Sequence, residues 1–61
     1  MKQKPYAVLT KDGVEYSIYQ EETNFSVFKE NNNRISRTYL PTKKDVDALV
    51  VSLIKSGYTK Q

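Results

Sequence analysis

The sequence has no cysteine, no histidine and no tryptophan, and only two glycines and two prolines in 61 residues. Without Cys or His, a zinc site built from those ligands, thiol redox chemistry, and Ser-His-Asp or Cys-His catalysis are all excluded within this chain. The absence of Cys also removes disulfides, the usual reinforcement of small domains, and fits a reducing compartment. Two isolated glycines, Gly13 and Gly57, make no phosphate-binding loop. No apolar run approaches the ~20 residues of a membrane span, and no apolar segment follows Met1-Lys2-Gln3-Lys4, so the expectation is a cytoplasmic protein without membrane contact.

What is present is a globular composition, 38% hydrophobic and 28% charged, in a length that suits a single small domain, residues 1–61. A chain of this size buries only about 60% of its unfolded surface, so its margin of stability is thin. The net charge is +3, but its distribution says more than its sum. Lys2, Lys4 and Lys11 make residues 1–11 basic, and residues 12–30 hold Asp12, Glu15, Glu21, Glu22 and Glu30 against Lys29 alone. Residues 31–44 carry Arg34, Arg37, Lys43 and Lys44 with no acid.

In the last third, Val46, Leu49, Val50, Leu53 and Ile54 fall at i, i+3, i+4, i+7 and i+8, one face of a helix from about 42 to 56. Thr42 stands as the N-cap, its hydroxyl placed to accept the Asp45 amide while that carboxylate reaches back. Gly57 ends the pattern as a left-handed C-cap, and Lys55 suits the negative helix end.

The first forty residues alternate with period two. Tyr6–Thr10 and a strand beginning at Val14 flank Asp12-Gly13, a strong hairpin signal. A two-residue loop sets Ala7 and Leu9 beside Tyr16 and Ile18, whereas a bulged three-residue loop sets Tyr6 and Val8 there. Glu21–Asn24 reads as a second turn, Phe25–Phe28 as a third strand, Asn31-Asn32-Asn33 as a third turn and Ile35–Leu40 as a fourth strand. The expected fold is α+β, an antiparallel β-β-β-β meander with one C-terminal helix packed on one face. Its core would come from Tyr16, Ile18, Phe25, Val27, Val46, Leu49, Val50, Leu53 and Ile54. One helix covers one face only, so the other is solvated or covered by a partner.

No nucleophile with an orienting base is present, so no catalytic residue, cofactor or metal is expected, and Glu21-Glu22 reads as a solvated turn. Two surfaces compete as functional candidates. The first is basic: Arg34, Arg37, Lys43 and Lys44 with Tyr39, a combination that suits phosphates and stacked bases. Lys43 and Lys44 lie in the first helical turn, where the helix dipole disfavours positive charge. The same residues also serve as an ordinary solvated surface. The second is a protein interface on the open sheet face, where Tyr19 and Phe28 share the parity opposite to the core, with exposed Val51 on the helix as an added contact. Glu15, Glu21 and Glu30 border that face and would repel phosphates. The expected function is therefore a small non-enzymatic regulatory or inhibitory protein that binds another protein or itself as a homodimer. A nucleic-acid-binding module is the alternative.

Tyr39-Leu40-Pro41-Thr42-Lys43-Lys44-Asp45-Val46 carries a strand into a helix. This segment resembles the strand-to-helix junction of the arm-binding domains of phage and transposon integrases. The order of elements is similar to those domains and to the single-strand-binding coactivator fold, and the resemblance implies nucleic-acid binding by the sheet. The acidic middle departs from it, and no motif assigns the chain to a family. The bias to Lys over Arg and the three asparagines look like a low-GC bacterium or its phage.

Overall fold

The computed structural model describes residues 4–61, so Lys2 of the basic N-terminal stretch lies outside the described residues. Strands β1 (Ala7–Lys11), β2 (Val14–Gln20), β3 (Phe25–Asn31) and β4 (Arg34–Leu40) precede helix α1 (Lys43–Lys55), and a short strand β5 (Thr59–Lys60) follows. They form one antiparallel sheet in the order β4-β3-β2-β1-β5, with the helix after the four-stranded meander. The fold is the expected α+β meander with a C-terminal helix, extended by one strand.

Backbone conformation at two turns decides the register. Asp12 and Gly13 have φ of 48° and 83°, and Asn32 and Asn33 have 51° and 69°. Positive φ at both central residues is the type I′ pattern, the hairpin turn whose twist matches that of its strands. The first hairpin therefore takes the two-residue loop, pairing Ala7 with Ile18 and Leu9 with Tyr16. In the last hairpin Asn31 pairs with Arg34, so the turn contracts to Asn32-Asn33 and β4 begins one residue before the expected Ile35. Residues 21–24 make the longer middle turn, where the Glu21 amide donates to the Asn24 carbonyl at 2.8 Å.

Alternation then divides the sheet. Ala7, Leu9, Ile18, Phe25 and Val27 face the helix and are buried with Val46 and Leu53; Tyr16, Leu40, Leu49, Val50 and Tyr58 pack around them. Ile54, expected in the core, is 49% exposed. At 100° per residue it lies about 80° from Val46, whereas Leu49, Val50 and Leu53 lie within about 60°. Ala7 and Leu9 join the core because the first hairpin fixes their parity.

Both helix ends are closed by side chains and backbone. The Asp45 amide donates to Thr42 Oγ1 at 3.3 Å, and the Thr42 hydroxyl donates to the Asp45 carboxylate at 3.0 Å. At the other end the Gly57 amide donates to the Ile54 carbonyl and the Tyr58 amide to that of Leu53, each at 3.0 Å. That pair of bonds, with Gly57 at φ 103°, is a Schellman motif. It turns Tyr58 back onto the core, where its ring meets Tyr16 edge-on at 5.3 Å. Reversal of the chain here delivers Thr59 and Lys60 to β1, and the Gln61 amide donates to the Val8 carbonyl at 2.8 Å.

Candidate functional site

The sheet face away from the helix is built by parity from β2, β3 and β4. Register sets its side chains in three rows across these strands: Glu15–Glu30–Ile35, Ser17–Phe28–Arg37, and Tyr19–Ser26–Tyr39. Phe28 stands at the centre. The Tyr19 ring meets it edge-on at 5.7 Å and 90°, an arrangement in which a positive ring edge approaches a negative ring face. On its other side the Arg37 guanidinium lies 5.7 Å from the Phe28 ring and 5.3 Å from the Tyr39 ring. Cation–π attraction draws this exposed guanidinium toward the two rings.

Tyr19, Phe28 and Ile35 line an open concavity of about 540 Å³, rimmed by Glu15, Glu21 and Glu30. Ile35 is 67% exposed and Tyr39 51%. Ser26 is the buried polar residue of this face, and its hydroxyl donates to the Glu21 carboxylate at 3.3 Å. The Ser17 hydroxyl likewise donates to Glu15 at 3.2 Å. Glu15 and Glu30 pair directly across β2 and β3. Like charges in that position repel each other. Among the described residues the one ion pair is Lys43–Asp47, at 3.9 Å, so none of them forms an ion pair with this acidic pair or with Arg37.

The basic candidates are spread out. Arg37 and Tyr39 lie together on the open face, but Arg34 has the opposite parity and stands at the β3–β4 turn. Roughly 20 Å of extended strand separates it from the end of β4. Lys43 and Lys44 lie beyond Pro41 in the first turn of α1, where Lys43 reaches Asp47. These residues form a line along one edge with alternating faces. The interface candidates divide as well: Tyr19 and Phe28 touch, whereas Val51, 51% exposed, lies on the outer side of the helix across the molecule. Ile35 and the directly opposed Glu15 and Glu30 complete the face. A sequence signal for the acidic pair exists, since a turn centred between Glu22 and Thr23 pairs residues whose numbers sum to 45.

No group of three or more Asp, Glu, Cys or His side chains able to hold a metal occurs among the described residues, and no helix among them is long and apolar enough to cross a membrane. The face offers apolar contact, carboxylate acceptors and one guanidinium. The chain matches no family model, no curated protein and no solved structure, so the reading of this face rests on its own side chains.

Proposed function

We propose that the chain is a small, non-enzymatic regulatory or inhibitory protein, cytoplasmic in a bacterium or encoded by its phage, that acts by protein–protein binding through its open sheet face. One observation carries this reading: Ile35, Tyr39, Tyr19 and Phe28 cluster on the face that the helix leaves uncovered. A contiguous exposed apolar patch bordered by charge is characteristic of an interaction surface. The carboxylates of Glu15, Glu21 and Glu30 around the concavity weigh against a phosphate backbone there.

The test places a photo-crosslinking residue at Ile35 or, as control, at Val51, two exposed positions on opposite sides of the molecule. Protein adducts from position 35 and none from position 51 are expected in the producing cell. Adducts to nucleic acid alone, or none at 35, would overturn the proposal. A second reading, a nucleic-acid-binding module, draws support from Arg37 lying against Tyr39 and Phe28 on an exposed strand. It requires binding to mixed DNA or RNA that weakens steeply with salt and weakens again when Arg37→Glu is combined with Lys43→Glu.

A further inference from the structure

We infer that the occupant of the open face is a second copy of this chain, held face to face by apolar contact around Phe28 and by Arg37 against the acidic side of the partner. The inference rests on the protein-binding reading above and names the partner. Its first support is charge complementarity within a single face. Glu15 and Glu30 oppose each other on β2 and β3, and Arg37 on β4 has rings but no carboxylate beside it. Glu15 on β2 and Arg37 on β4 flank the central strand that carries Phe28, so a two-fold rotation sets each against the other, and the pair occurs twice.

The rows give the geometry. A two-fold axis parallel to the strands and above Phe28 lays β4 of each copy over β2 of the other. Arg37 then falls over Ser17, whose hydroxyl already holds Glu15, and Tyr39 falls over Tyr19. Sheets packed this way lie about 10 Å apart, a gap that interdigitated ring and guanidinium side chains fill. There the guanidinium meets the partner's Glu15 carboxylate, and this attraction, made twice, offsets the repulsion of the two Glu30 side chains that face each other across the axis.

The three overlapping strands, β2, β3 and β4, about 4.8 Å apart and about 23 Å long, present roughly 330 Å² of projected area per copy. This falls below the ~800 Å² per partner of a standard interface, so the dimer is reversible, with a Kd on the order of micromolar or weaker. Its paired charges make it sensitive to salt.

Sedimentation of the purified chain from low micromolar to millimolar concentration, at ~0.05 M and ~0.5 M salt, reads this directly. The wild type is expected to shift from 7.1 kDa toward twice that mass, at lower concentration in low salt. Arg37→Glu alone should weaken self-association about ten-fold or more, as should Glu15→Lys with Glu30→Lys. An equimolar mixture of these two variants should recover it, because both charge contacts become attractive only in the mixed pair. Val51→Glu should dimerise like the wild type. A wild type that stays monomeric, a mixture that fails to recover, or a loss of dimer in Val51→Glu would each overturn the inference. If the wild type is monomeric while position 35 still crosslinks a different protein, the second copy is ruled out and the protein-binding reading stands. If position 35 crosslinks no protein, both fall.

Discussion

Gly57 sits where an added side chain meets two separate penalties. Its φ of 103° is open to glycine and strained for other residues, and a Cβ there would lie 3.2 Å from Lys11 Nζ and 3.3 Å from Lys11 Cε. That ammonium donates to the Ser56 carbonyl at 2.5 Å and lies 5.8 Å from the Tyr58 ring. It thus places positive charge from β1 at the negative end of α1. Gly13, at φ 83°, has nothing within 4 Å of its Cβ position and carries the backbone penalty alone. Gly57→Ala is therefore expected to destabilise by about 1–2 kcal/mol, more than Gly13→Ala, with a fall in Tm of roughly 5–15 °C. In a Lys11→Ala background the excess at position 57 should vanish, since the side chain that must move is gone. Equal losses in the two backgrounds, measured by thermal or urea unfolding, would show that Lys11 is not the source.

At the scale of elements, β4 stands apart from the rest of the sheet. Leu40 is its one half-buried residue; Arg34, Ser36 and Thr38 are exposed on the helix side, and Ile35, Arg37 and Tyr39 on the other. Hydrogen bonds to β3 and few apolar contacts hold it, and Arg34 and Arg37 guard its free edge against pairing with another chain. Its amides should exchange by local opening, well before those of β1 and β2 around Leu9 and Ile18. Amides on the outer edge should stay unprotected even at millimolar protein, because a face-to-face dimer leaves the edge free. Protection that appears there at high concentration would indicate edge-to-edge pairing instead. The helix and four strands were legible because each carries its own periodicity, and Thr42, Gly57 and Asp12-Gly13 marked their ends. The fifth strand was not: Thr59–Lys60 is too short to show a period, and it exists because the Schellman turn at Gly57 aims the chain at β1. Ile54 was misread for a related reason, since heptad-like spacing marks a stripe but not the width of the sheet beneath it.

For the whole molecule, the core and the proposed interaction surface are separable. Leu9, Ile18 and Val46 are fully buried on one side of the sheet, and Phe28, Ile35, Arg37 and Tyr39 lie on the other. The parity of Tyr19 and Phe28 was legible in the sequence. The opposition of Glu15 to Glu30, and the separation of Val51 from both rings, needed the register and the helix placement. A 61-residue domain has a stability of about 3–9 kcal/mol, so coupling it to association should be visible in unfolding. A dimer bound only in the folded state stabilises by mass action, by ~2.7 kcal/mol at a concentration one hundred times Kd. At about 4–8 °C per kcal/mol this is a rise in Tm on the order of 10 °C between micromolar and high-micromolar protein. Arg37→Glu should lower the dilute-limit Tm by several degrees, the worth of its exposed cation–π contacts to Phe28 and Tyr39, and should show no rise with concentration. Scanning calorimetry across a concentration series separates the cases. A fall for Arg37→Glu at high dilution well beyond those degrees would assign Arg37 to folding, and an equal rise in both proteins would locate self-association on a surface other than the open face.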